Sequence, residues 1–216
     1  MKISYAITVC NEFLEIQRLI TFLLVNKRPQ DEIVVQMDLN VDDLKNQPED
    51  KKQVFAYIMK HQEQGHLRVL LYPLNNDFGA FKNNLTSQCE GDYIFQIDAD
   101  EVPCTPILES LPAILEANPE VDVYLVPRVN TVEGLTDGHI QRWGWSVNSE
   151  GWVNWPDYQW RIFRNINTIK WKNKVHEVLD GFKQYAHLPM EEDYSLYHPK
   201  TIEKQEKQNN YYNTLD

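Results

Sequence analysis

Apolar residues along the first 127 positions recur in two alternating rhythms. Ile3–Val9 is a short run rich in β-branched residues, the signature of a buried strand. Asn11-Glu12 then opens a stretch over 12–26 in which Phe13, Ile16, Leu19, Ile20, Leu23 and Leu24 fall at helical spacing. The alternation continues with strands over 32–37, 67–72, 93–97 and 121–126. Helices are predicted between them over 51–63, 77–89 and 105–117, the first carrying Val54, Phe55, Ile58 and Met59 on one face.

Strands joined by single helices pair in parallel through right-handed crossovers, and such open sheets bind ligands outside the carboxyl ends of their strands. Thr8 to Glu12, Asp38, and Asp98 to Asp100 each follow a predicted strand directly, so they are expected on one edge.

The pattern changes after position 127. All six tryptophans (Trp143, Trp145, Trp152, Trp155, Trp160 and Trp171) lie within 143–171, and helical periodicity is lost from 128 to 199. Loops or hairpins are predicted there, with strands near 158–164 and 168–172, and a polar helix over 201–215. No linker divides the chain. One domain over 1–216 is expected, with the two patterns dividing it into halves at 1–127 and 128–216.

Composition narrows the functional classes. The net charge of -11 repels phosphate backbones, so nucleic acid is not an expected partner. No run of 18 apolar residues and no signal peptide is found, and Cys10, Cys89 and Cys104 have no metal-ligand spacing. A cytoplasmic protein with reduced thiols and no transmembrane segment is therefore expected. The oligomeric state is not legible.

The chemistry concentrates at Asp98-Ala99-Asp100-Glu101. Three acids at the end of an apolar strand repel one another unless a positive group sits among them. Alternate carboxylates suit a hard cation, Mg²⁺ or Mn²⁺, which neutralises charge developing on a departing diphosphate. The same four residues could equally be a solvated acidic turn at the start of the next helix.

The surrounding segments favour the first reading. NNDFGAFKNNLTSQCEGDYIFQIDADE resembles the central segment of family 2 glycosyltransferases of the GT-A fold, an α/β Rossmann-like fold with a mostly parallel central sheet flanked by helices. ISYAITVCNE resembles that family's opening strand, with Thr8 and Cys10 in place of the usual proline and aromatic residue. DEIVVQMD resembles its second strand, although only Asp38 of the usual D-D-G-S remains. RIFRNINTIKWKNKVHE resembles a segment of lipopolysaccharide-core-like members, and SLYHPK carries a late histidine.

The resemblance implies a metal-dependent inverting transferase taking a sugar from a UDP-sugar to a saccharide hydroxyl, with 1–127 as its nucleotide-sugar-binding half and 128–216 as its acceptor-binding half. Thr8, Cys10 and Glu12 would line the nucleoside pocket, Asp38 would accept a hydrogen bond from uracil, and Lys82 would face the donor. Asp98 would contact ribose and metal, Asp100 the metal, and His198 would be the third protein ligand. Glu177 would remove the acceptor proton, with Asp157 in reserve. His176 could orient Glu177, approach the phosphates or simply pack. Two of the six tryptophans are expected at the acceptor cleft, where indoles stack on sugar rings. Arg161 and Arg164 should face opposite sides of their strand, one toward the acidic cluster or diphosphate and the other toward solvent.

Two other classes remain open. A sugar nucleotidyltransferase would want a glycine-rich, basic loop after the first strand, where CNEFLE stands. A carbohydrate-binding protein with a degenerate donor site would account for the altered D-D-G-S.

Overall fold

A computed structural model describes the backbone of residues 1–212, with side chains described through Asn209. Its seven-stranded central sheet runs in the order β11-β6-β8-β4-β1-β2-β3. The strands are β1 (Ile3–Val9), β2 (Glu32–Asp38), β3 (Arg68–Tyr72), β4 (Tyr93–Asp98), β6 (Val123–Val126), β8 (Gln159–Arg164) and β11 (Tyr185–His187). β4, β1, β2 and β3 are parallel neighbours, as the alternating pattern predicted, whereas β8 lies antiparallel between β4 and β6.

The central strand runs are mostly apolar because the sheet is covered on both faces. One face, including Ile3, Tyr5, Ile7, Ile33, Val35 and Phe95, packs under α1 (Phe13–Asn26), α2 (Glu49–Glu63) and α4 (Thr105–Ala117). The opposite face, including Ala6, Val34 and Ile94, packs under Leu85 of α3 (Phe78–Thr86) and under Trp171 and Leu179 of the β9 (Lys170–Lys172) and β10 (Val178–Asp180) hairpin.

A second sheet, in the order β5-β12-β7, joins β5 (Val102–Pro103), β12 (Leu196–Thr201) and β7 (Arg128–Glu133). Its β7–β12 register sets His198 opposite Asn130. One helix escaped the hydrophobic periodicity. α5 (Asp137–Trp143) is too short to display it and is specified instead by Thr136 and His139, which form a reciprocal cap, and by Gly144 in the left-handed conformation. The polar helix predicted over 201–215 corresponds to α6 (Ile202–Tyr212); Thr201 ends β12, and positions 213–215 lie outside the described residues.

Candidate active site

The carboxyl ends of β1, β2 and β4 open into a cleft of about 560 Å³, a volume suited to a small organic ligand. Every singled-out site residue lines it: Thr8, Cys10, Glu12, Asp38, Lys82, Asp98, Asp100, Asp157, Glu177 and His198. The topological expectation therefore holds, because residues scattered over 190 positions converge where the parallel strands end.

Positive partners for the acidic cluster come from the chain itself. Asp98 accepts hydrogen bonds from the Thr8 hydroxyl at 2.8 Å and from Arg161 Nη2 at 2.7 Å, with Lys82 Nζ 3.9 Å away. The same Arg161 nitrogen donates to Glu101 at 2.7 Å, and Arg128 Nη1 reaches Glu101 at 3.0 Å. Burial alone would push the Asp98 carboxyl up, but Arg161, Lys82 and the Thr8 hydroxyl hold it well below the usual carboxylate range. Burial likewise opposes the Arg161 charge, and Asp98 and Glu101 outweigh it. Arg164 lies on the other side of β8, paired with Asp122 at 3.3 Å and resting over Tyr93, so it is half-buried rather than simply solvated.

Asp100 takes a separate set of partners. Its Oδ2 lies 3.2 Å from His198 Nε2 and 3.6 Å from Lys200 Nζ, while His198 Nδ1 meets Asn130 Oδ1 at 2.7 Å. Burial raises the Asp100 carboxyl, and His198 and Lys200 more than reverse it. A contact to Asn130 fixes the His198 ring as a hydrogen-bonded outer partner does for a metal-bound histidine. Among the described residues no three His, Cys, Asp or Glu side chains are grouped as a metal cage. Asp98 is turned toward Arg161 and Thr8. The Asp100–His198 pair does fit two adjacent ligands, since neighbouring donors on an octahedral ion lie about 3 Å apart.

Lys82 links the acidic cluster to Glu177. Its ammonium, buried over the Trp171 ring at 4.8 Å, lies 3.6 Å from Glu177 Oε1. Three neighbouring side chains explain its placement. Asn84 donates to Gln36 Oε1 at 2.6 Å while Gln36 Nε2 donates to the Phe81 carbonyl at 2.6 Å, clamping α3 to β2. Asn83 exchanges two hydrogen bonds with the Trp171 backbone, at 2.8 and 2.9 Å. Gly79 permits close approach of the hairpin, because a Cβ there would stand 2.4 Å from the Asn173 carbonyl oxygen. With Asn83 and Asn84 holding its two flanks, α3 presents Lys82 to the cleft.

The reserve candidate Asp157 is held differently. Its Oδ2 accepts from Arg128 at 2.6 and 2.9 Å and from Asn130 at 2.8 Å, and its Oδ1 from Gln159 at 2.8 Å. Burial would raise its carboxyl, and Arg128, Asn130 and Gln159 bring it below the ordinary value, leaving it a poor proton acceptor.

On the other side of the cleft, Asp38 accepts from the Leu74 N–H at 2.8 Å and from Lys51 Nζ at 3.3 Å. Glu12 folds back onto the Cys10 and Asn11 N–H groups at 2.8 and 3.0 Å. Burial pushes the Cys10 thiol up to about 12, so it remains a protonated wall residue.

Arg161, Arg128, Glu101, Asn130 and Lys200 complete the site, and of these Arg128, Asn130 and Lys200 were not singled out in the sequence. Electroneutrality was the available signal, because three adjacent carboxylates require cations, but the partners lie 27 to 100 positions away. Three tryptophans line the cleft rather than two: Trp145, Trp160 and Trp171. The additional one, Trp171, reaches it from the core by underlying Lys82.

A mostly parallel sheet whose strand ends gather an acid-rich, cation-balanced cleft has the GT-A shape of glycosyltransferases. The model of the family described as "Glycosyl transferase family 2" matches residues 4–191, and the chain belongs to that family. No curated protein matches the chain. Among solved structures, it resembles S. aureus TarS 1–349 in complex with UDP at 16% identity and a TM-score of 0.60, covering 92% of this chain and 60% of that one. The TarS 1–349 complex with UDP-GlcNAc gives 17% identity and a TM-score of 0.58, covering 93% of this chain and 59% of that one. The chain thus spans about three fifths of TarS 1–349. Among the described residues no helix is long and apolar enough to cross a membrane.

Proposed function

We propose that this chain transfers a sugar from a UDP-sugar to a saccharide hydroxyl, with inversion at the anomeric carbon and Glu177 as the base. The observation that carries this reading is the position of Lys82, whose one ammonium lies beside both Asp98 and Glu177. The group that would face the donor and the group that would deprotonate the acceptor are thereby held at one point.

Residues 1–127 supply the nucleotide side, with Asp38 facing the base and Thr8, Cys10 and Glu12 the nucleoside. Residues 128–216 supply the acceptor side and also send Arg161 and His198 across to the donor. Asp100 and His198 would hold Mn²⁺ or Mg²⁺, with Asp98 adding its charge beside them. Such a cation neutralises charge on the departing diphosphate. Lys82 supplies a fixed positive charge for the same diphosphate, and in a buried site it costs no reorganisation during reaction. Glu177 accepts the acceptor's hydroxyl proton as that oxygen attacks.

The alternative of a degenerate carbohydrate-binding protein drew on the altered D-D-G-S. That alteration has a structural use here, because Gln36 clamps the helix that presents Lys82.

UDP release from a panel of UDP-sugars with Mn²⁺ tests the proposal, comparing the parent chain with Glu177→Gln. Release by the parent chain and its loss in the variant, with UDP affinity unchanged, is the expected result. A panel in which no UDP-sugar is turned over and none is bound contradicts it.

A further inference from the structure

Trp160 lies where the cleft meets a row of aromatic rings on the sheet edge. Its ring is 5.5 Å from Phe182 and 5.8 Å from Tyr185, and those two are 5.9 Å apart. The row continues from Tyr185 to His187 at 5.8 Å, and from His187 to Tyr158 at 4.5 Å. Tyr185 is 54% exposed and stands on β11, the edge strand. Phe182 immediately follows the β9–β10 hairpin, whose connecting loop carries Glu177. The rings therefore lead from Trp160, which lines the cleft, to the exposed edge of the sheet. A core would have buried Tyr185, and among the described residues no strand of the central sheet lies beyond β11.

We propose that Phe182 and Tyr185, continuing from Trp160, form a binding subsite for the distal sugars of an extended saccharide acceptor. The C–H faces of pyranose rings stack on aromatic faces, and Trp160, which lines the same cleft as Glu177, joins this wall to it. The inference rests on the transferase reading and goes beyond it, because it assigns an oligosaccharide rather than a single sugar as the preferred acceptor.

Linear hexasaccharides of β-1,4-glucose, α-1,4-glucose and β-1,4-N-acetylglucosamine are titrated into the full chain, against their disaccharides, with UDP affinity measured on the same samples. At least one hexasaccharide binds more tightly than its disaccharide. Tyr185→Ala combined with Phe182→Ala weakens that hexasaccharide by about tenfold, the loss of two stacking contacts, and leaves UDP affinity unchanged. Tyr185→Phe, which keeps the ring, retains the length preference. Three results overturn the subsite: no hexasaccharide bound, no length preference, or a preference that survives the double variant. So does a wild-type dimer that the double variant dissolves, which would assign the wall to a second copy. Loss of UDP binding in the parent chain would instead defeat the transferase reading.

Discussion

Asp100 Oδ2 stands 3.2 Å from His198 Nε2 although 98 positions separate the two residues. The contact is made by the small second sheet, in which β12 runs beside β7 and delivers His198 to the end of β4. If this pair holds the cation, His198→Ala lowers Mn²⁺ affinity by more than about tenfold, the lower range for losing even an outer partner of a metal ligand. Titrating Mn²⁺ in the presence of UDP measures it. Asn130→Ala, which frees the ring without removing it, is expected to have a smaller effect in the same direction.

Glu177 and Asp157 make opposite predictions. Glu177→Gln lowers kcat by about 10² to 10⁴, the range for a general base, and leaves UDP affinity as it was. Asp157→Asn disturbs the Arg128 anchor and lowers stability more than it lowers the chemical step. Kinetics and denaturation curves on both variants separate the two roles.

Arg161 holds the fully buried Glu101 and the partly exposed Asp98 at once. Arg161→Met leaves Asp98 and Glu101 short of their main cation, at a cost of about 3 to 5 kcal/mol. Urea denaturation checks the size. A loss near zero would mean that Lys82 and Arg128 suffice.

Acid should loosen the fold through Asp157 and Glu32. Burial raises both carboxyls, but Arg128 holds Asp157 down, and Ser4, the Glu90 N–H and Lys2 hold Glu32 down. A folded-state pKa below the unfolded one stabilises the protein above about pH 4, and that stability is lost as pH falls through the folded values. Denaturation at pH 7 and pH 3 should show the drop, and Asp157→Asn should make it shallower.

The parallel part of the fold was legible because each strand is apolar on both faces and each helix shows one apolar stripe. The convergence of Thr8, Asp38 and Asp98 followed from that topology alone. β8 was recognised as a strand, but its antiparallel place between β4 and β6 was not, since register across the sheet leaves no local mark. Of the cations balancing Asp98, Glu101 and Asp100, Lys82 and one arginine of the Arg161/Arg164 pair were legible, but Arg128 and Lys200 were hidden for the same reason. They become neighbours of the acids only when the second half folds back.

Gly79 offers a test of how closely the hairpin must approach α3. Gly79→Ala pushes the Asn173 carbonyl away and with it the loop that carries Glu177, since Phe78 N–H also bonds the Lys174 carbonyl at 2.9 Å. Turnover is expected to fall while UDP affinity stays near its parent value, as kinetics and calorimetry on the variant would report.

The donor site itself is tested most directly by calorimetric titration of UDP with Mn²⁺ and then with EDTA, on the parent chain and on Asp100→Ala. Binding that needs both the metal and Asp100 is the predicted result. Binding that ignores both, or no binding of UDP at all, would contradict the assignment of this cleft to a metal-held nucleotide-sugar.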